Sequence, residues 1–181
     1  MSRPIELIAR GVYERDGQIL ACRNLAAGYC YLPGGHIEPG EAAVDALARE
    51  FVEETGLTAR IGPYMLTAEV AFARGNRVIH EVNLVFHVEH LISPNDGRDI
   101  GPPLSHSPDA PSTGGNPSTG MFHVEHAGVA SQEPGIDFVW VRLLELAGVD
   151  LRPNSIKNWL LTPIANRRIF VSDVTAVTPT A

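Results

Sequence analysis

One stretch, residues 35–57, constrains this chain more than any other. It runs Gly35, five residues, Glu41, seven residues, then Arg49-Glu50-Phe51-Val52-Glu53-Glu54-Thr55-Gly56-Leu57. Between Glu41 and Thr55 the apolar residues fall at helical spacing. Val44, Leu47, Ala48 and Phe51 stand at i, i+3, i+4 and i+7, which predicts one buried stripe. Gly56 suits the turn that ends such a helix. Ahead of it, Pro33-Gly34-Gly35 punctuates the chain strongly.

Within that helix Glu50, Glu53 and Glu54 lie at i, i+3 and i+4, so their carboxylates share one side, bordering the apolar stripe. Like charges at this spacing cost roughly 0.2–0.5 kcal/mol per pair. The macrodipole disfavours anions in the last turn by roughly 0.3–1 kcal/mol each. Local stability would select lysine here, so the glutamates point to a cation that makes up the difference. Carboxylate oxygens suit a hard ion, Mg²⁺ or Mn²⁺, whereas zinc would want Cys or His. A solvated acidic face is the competing reading of the three residues alone. Seven fixed identities, with apolar Phe51 and Leu57 at their positions, are not expected by chance at average residue usage.

Composition narrows the partners. The chain has 181 residues, enough for one domain, and 44 % are hydrophobic, enough for a core. A net charge of −7 repels a phosphate backbone and argues against a nucleic-acid binder. An anionic substrate would need positive charge added locally, and a divalent cation supplies it. The two cysteines, Cys22 and Cys30, are too few for a disulfide framework. No signal-peptide core or membrane-length apolar run is present, so a reduced, soluble, cytoplasmic protein is expected, with no membrane partner.

Strands are expected at Ile5 to Val12, Gln18 to Cys22, Tyr29 to Leu32, Leu57 to Ala73, Arg77 to His90 and Ile136 to Val141. Asp16-Gly17 reads as a hairpin turn between the first two. Leu143 to Ala147 reads as a helical turn. Asn154 or Ser155 is expected to cap a last helix that runs to Leu161 and stops at Pro163. One domain is expected over residues 1–165, and residues 166–181 carry little pattern and read as a loosely ordered tail. Residues 91–126 interrupt this plan. They are rich in Pro, Gly, Ser and Thr, and Phe86-His87-Val88-Glu89-His90 recurs as Phe122-His123-Val124-Glu125-His126. A direct repeat flanking low-complexity sequence reads as a disordered, tolerated insertion, with a functional lid as the alternative.

Residues 35–57 resemble a complete Nudix box, the signature of the Nudix hydrolases, and Leu32-Pro33-Gly34-Gly35 is similar to that family's lead-in. The resemblance implies the α/β class, an α/β/α sandwich with a mixed β-sheet. It implies that the Gly35 carbonyl and the carboxylates of Glu50, Glu53 and Glu54 ligate Mg²⁺ (or Mn²⁺). Glu41 and Arg49 would brace the loop–helix–loop by an ion pair, and Gly56 would permit the turn after the helix. The implied reaction is hydrolysis of a nucleoside diphosphate linked to another group, releasing a nucleoside monophosphate. A nucleotide sugar such as ADP-ribose and a nucleoside triphosphate are the two substrate classes.

A diphosphate repels its own nucleophile, so charge neutralisation is the main requirement. Glu53 or Glu54 could take the proton from the attacking water. In many relatives that base lies outside the box, which makes Glu133 and Glu81 candidates. Arg23, on a strand near the box, is a candidate phosphate contact, with a surface arginine as the plain reading. Tyr29, Tyr31 and Phe72 read as core before nucleobase platforms. The His-Val-Glu-His copies make poor chelates, because strand alternation splits their ligands between two faces. A non-catalytic nucleotide-binding Nudix domain is the rival, weakened by the intact glutamates. A homodimer is left open.

Overall fold

The computed structural model describes residues 5–102 and 124–174. Among the described residues ten strands and two α-helices order as β1 (Glu6–Val12), β2 (Glu14–Arg15), β3 (Gln18–Asn24), β4 (Cys30–Tyr31), α1 (Ala43–Thr55), β5 (Thr58–Arg74), β6 (Arg77–Ile92), β7 (Val124–His126), β8 (Ile136–Arg142), β9 (Leu151–Arg152), α2 (Asn154–Leu161) and β10 (Phe170–Asp173). The α/β expectation holds, with one difference: there are two mixed sheets. The first has the order β1-β6-β5-β10, and the second runs β7-β8-β3-β4-β9 with β2 paired to β3. Parallel pairs β1·β6, β5·β10 and β4·β9 sit among antiparallel ones, so both sheets are mixed.

Two buried clusters explain the layering. Alternation along β3 sends Leu20 and Cys22 to one face and Ile19 and Ala21 to the other. The first face joins Leu47 and Phe51 of α1 with Tyr13, Phe138 and Trp140. The second joins Ile156, Trp159 and Leu160 of α2 with Leu66, Val85 and Val139. Each helix therefore covers one face of the sheet layer, which gives the α/β/α arrangement. Burying a side chain the size of Phe51 contributes roughly 1.5–3 kcal/mol.

Local chemistry sets the ends of α1. Gly56 has φ 71° and its N–H returns to Val52 O, the left-handed stop expected of it. The buried stripe is displaced from the expected one. Ala46, Leu47, Phe51, Glu54 and Thr55 are buried, while Val44 is exposed. Rotating the stripe by this amount carries Glu54 into the interior. At α2 the expected Asn154 or Ser155 cap is absent: Pro153 occupies the cap position without a side-chain bond, and both residues lie inside the helix. The Pro153 carbonyl instead accepts the Ile156 and Lys157 N–H groups at 3.1 and 3.2 Å, starting the helix through the backbone alone.

The ends of the 91–126 segment are ordered. Leu91 and Ile92 complete β6, and Val124–His126 pair with β8. Asp99 is anchored by the Tyr13 hydroxyl at 2.8 Å, by His90 Nδ1 at 2.8 Å and by the Leu91 N–H at 2.8 Å. Residues 103–123, with the two Pro-Ser-Thr-Gly copies and the start of the second pentapeptide, lie outside the described residues. In the C-terminal stretch, Phe170–Asp173 form a strand parallel to β5, where the sequence showed no strand pattern; its only apolar residues, Phe170 and Val171, are too few to show alternation. Residues 175–181 lie outside the description.

Candidate active site

The site begins where β1 meets the Leu32–Gly35 loop. The Gly11 and Ala9 N–H groups donate to Pro33 O and Gly35 O, each at 2.9 Å, and the Ile37 N–H donates to Leu7 O at 2.9 Å. The loop thus runs along β1 like a short extra strand. Gly34 has φ 120°, and a Cβ there would stand 2.2 Å from Ala9 O, so only glycine fits. At Gly35 a Cβ would lie 2.4 Å from the Glu50 carboxyl carbon. Loop backbone and helix carboxylate are in direct contact, a cradle that any side chain at Gly35 would fill.

Helix α1 presents its glutamates to two partners. Arg49 is the hub of the first group. Its guanidinium takes both Glu41 oxygens at 2.9 and 3.0 Å, and its Nη1 donates to Glu50 and to Glu53, each at 2.9 Å. Its Nη2 also donates to His36 O at 3.0 Å, tying the loop before the helix to the helix itself. Glu41 in turn accepts from the Glu38 N–H at 3.1 Å. These bonds hold the Glu41 carboxyl below the ordinary range, chiefly through Arg49.

Glu54 is apart from that group. It is 6 % exposed and its Oε2 accepts the Gly34 N–H at 3.3 Å. Burial pushes its carboxyl up to about 7, helped by Glu50 and Glu133, while the Gly34 bond and Arg10 oppose the rise. The three glutamates are therefore divided between Arg49 and the Gly34 amide. Among the described residues no group of three or more His, Cys, Asp or Glu is drawn together as a ready metal site. The donor chemistry nonetheless fits a hard divalent ion. The Glu50 and Glu54 carboxylates meet the Gly34–Gly35 backbone with no thiol or imidazole among them, and the absence of a side chain at Gly35 leaves room beside Glu50.

The loop after β7 reaches the same place. The Gln132 N–H donates to Glu54 O at 2.8 Å, which sets residues 131–135 against the end of α1. The Ser131 hydroxyl and the Glu133 backbone N–H close a small turn at 3.1 Å. Glu133 is exposed and its charge is felt by Glu54, Cys22 and Tyr31 alike. Glu81 lies on β6 and accepts from Asn83 Nδ2 at 3.3 Å. Arg23 is not brought to Glu54. It follows Ile19 and Ala21 on the α2-facing side of β3, pairing with Cys30 and Asp137 across the strands.

The cation beside Glu54 is Arg10, which the sequence reading passed over. It sits on β1, donates to Leu32 O at 3.1 Å and to Gly34 O, and lies 5.4 Å from the Tyr31 ring centroid. Asn83, fully buried on β6, accepts from Arg10 Nε at 3.5 Å. The signal was present in the sequence: each is a polar residue breaking an apolar strand, and such residues are buried only with partners.

Residues 5–103 match the model of the NUDIX domain. The chain belongs to the Nudix family. A CTP pyrophosphohydrolase of Escherichia coli (strain K12) is 38 % identical over 80 residues, 42 % of this chain and 57 % of that protein. A putative 8-oxo-dGTP diphosphatase of Bacillus subtilis (strain 168) is 42 % identical over 57 residues, 29 % of this chain and 38 % of that one. The Nudix chain thus spans between a third and three fifths of these relatives' lengths. The mutator MutT protein from Bacillus halodurans superposes with TM-score 0.61 at 14 % identity, covering 93 % of this chain and 88 % of that one. The MutT protein from Methanosarcina mazei Go1 gives 0.57 at 18 %, covering 89 % and 94 %. At these identities the two structures establish the fold. Among the described residues no helix is long and apolar enough to cross a membrane.

Proposed function

We propose that this Nudix chain is a pyrophosphohydrolase dependent on Mg²⁺ or Mn²⁺, which cleaves a nucleoside diphosphate linkage and releases a nucleoside monophosphate. The observation that carries the reading is the meeting of the Gly34–Gly35 backbone with the Glu50 and Glu54 carboxylates. That contact joins the two halves of a hard-oxygen ligand set that lie 15 and more residues apart in the chain.

The Gly35 carbonyl and Glu50, Glu53 and Glu54 would hold the ion. When bound, it supplies charge neutralisation for the phosphates and a lowered pKa for an attacking water. Glu54 is the best protected of the three, so its carboxylate binds without competition from bulk water. Arg49 fixes Glu41 and shares Nη1 between Glu50 and Glu53, orienting both carboxylates. The proton of the attacking water goes to a carboxylate oxygen of Glu53, Glu54 or Glu133. Glu133 is exposed and electrostatically linked to Glu54, which suits a base that must meet substrate and return its proton to solvent. Arg23 takes no part in this proposal.

Nucleoside triphosphates are the favoured substrate class, because both curated relatives are named for such substrates. The ADP-ribose class is the alternative. A reduced cytoplasmic setting belongs to the same reading and is supported by two buried free thiols. The test is a panel of CTP, 8-oxo-dGTP and ADP-ribose with Mg²⁺, read for nucleoside monophosphate. Release of monophosphate from one of them, lost in Glu54→Gln, supports the proposal. Nucleotide binding without turnover on the whole panel would favour the non-catalytic rival.

A further inference from the structure

The four carbonyls of Leu32, Pro33, Gly34 and Gly35 all accept from the same three residues of β1. Backbone N–H groups of Gly11 and Ala9 take Pro33 and Gly35, in the alternating manner of a strand pair. The intervening carbonyls, Leu32 and Gly34, point the other way and would be left without β1 partners. Arg10 supplies them both from one nitrogen, Nη1. Its guanidinium is itself held from two further directions, by Asn83 Oδ1 at Nε and by the Tyr31 ring at 5.4 Å. Asn83 is then fixed by Glu81 at 3.3 Å, so a chain of contacts runs Glu81, Asn83, Arg10, loop.

We propose that Arg10 is a positioning residue of the active site, seated by Asn83, which locks the Leu32–Gly35 backbone against β1 so that the Gly34 amide meets Glu54 and Gly35 backs onto Glu50. The inference rests on the metal-site reading above and goes beyond it, because Arg10 is outside the 35–57 stretch and touches no proposed ligand side chain. A carbonyl oxygen has two acceptor directions. The Ala9 N–H occupies one at Gly35, and the loop's orientation decides where the other points. Arginine is required because one planar, fixed fork must reach two carbonyls and an amide oxygen together. Lysine keeps the charge but has a single rotating ammonium.

The test uses the full chain with Mn²⁺ as the probe, followed by electron paramagnetic resonance without substrate, beside kcat and KM on the substrate found in the panel. Arg10→Lys is expected to weaken Mn²⁺ binding and to lower kcat, each by about tenfold or more, the range seen when groups that orient metal ligands are removed, with KM within about twofold. Asn83→Ser unseats the guanidinium without touching the loop and is expected to show a smaller loss of both. Arg60→Gln, which breaks only the exposed Arg60–Glu89 pair, serves as the control and is expected to match the wild type. Melting temperature in EDTA reports the fold of each variant. Unchanged Mn²⁺ affinity in Arg10→Lys, or a rise in KM alone, overturns the assignment while leaving the metal-site reading intact. If Arg10→Lys does not fold, unchanged affinity in Asn83→Ser overturns it instead. If the wild type binds no Mn²⁺, or Glu54→Gln binds as well as wild type, the metal-site reading falls and the Arg10 assignment falls with it.

Discussion

Gly35 backs directly onto the Glu50 carboxylate: a methyl group on Gly35 would stand 2.4 Å from the carboxyl carbon and 2.5 Å from each oxygen. The backbone there is not left-handed, and the obstacle is the far end of a flexible side chain. Gly35→Ala is therefore expected to fold, with Glu50 pushed aside. Activity should fall by about 10–100-fold, as when a metal ligand loses its orientation, while the melting temperature moves little. Gly34→Ala meets the Ala9 backbone at 2.2 Å with φ 120° and should instead be destabilised outright. Parallel thermal melts and rate assays of the two variants distinguish a misplaced ligand from a broken loop.

Glu54 sets stability against function. Its carboxyl is raised by burial to about 7 from an ordinary 4.5. Below about pH 4.5 it is protonated folded or unfolded and contributes nothing. Between these values the folded chain keeps a proton that the unfolded chain has lost, so stability falls as pH rises. Above about 7 the penalty is complete, on the order of 3 kcal/mol for this shift. In EDTA, Glu54→Gln should thus melt above the wild type at pH 8, with the gain shrinking toward pH 4.5, while hydrolysis is lost. A lower melting temperature for the variant at pH 8 would mean that the buried carboxylate is better accommodated than its surroundings suggest.

Arg49 is the shared partner of Glu41, Glu50 and Glu53. Its pKa is pushed up chiefly by the Glu41 bonds, so it remains a cation at any working pH. Arg49→Lys keeps the charge but cannot bridge three carboxylates and His36 O at once. The expected result is a loss of kcat of about tenfold or more with the fold retained. Glu41→Gln should give a smaller loss in the same direction. Steady-state kinetics on both variants checks the order.

Cys22 and Cys30 are buried on opposite faces of the β3–β4 pair, and burial pushes both thiols up. A protonated, inaccessible thiol is a poor nucleophile. Neither should react with a thiol reagent in the native protein, and both should react in denaturant. Fast labelling of the native chain would show that β4 opens.

The 91–126 segment contains none of the proposed site residues, so its deletion, which joins His90 to Ala127, should spare the activity. Leu91 is fully buried and Asp99 ties together Tyr13, His90 and the Leu91 amide. The deletion should therefore lower the melting temperature. Loss of activity in a folded deletion variant would assign the segment a role in catalysis.

The helix and its glycine stop were legible because they rest on local rules, and the fold class was legible only through the resemblance that the 35–57 motif carries. The helix stripe was misplaced because Glu54, expected at the border of the apolar stripe, lies inside it. Its burial depends on the Gly34 amide, twenty residues away, which spacing does not show. Arg10 and Asn83 were missed for a related reason. Each looks like an interruption of its own strand, and only the β1·β6 pairing turns two interruptions into one hydrogen-bonded unit. The strand at Phe170–Asp173 is stabilised by its pairing to β5, and two apolar residues carry too little periodicity to announce it.

Whether the α1 glutamates hold a metal is decided by titrating the metal-free chain with Mn²⁺, wild type beside Glu54→Gln. Saturable binding by the wild type is expected, with an affinity at least about tenfold weaker in the variant, since a ligand charge is removed with little change of shape. Equal affinity in the two proteins would contradict the metal-site reading.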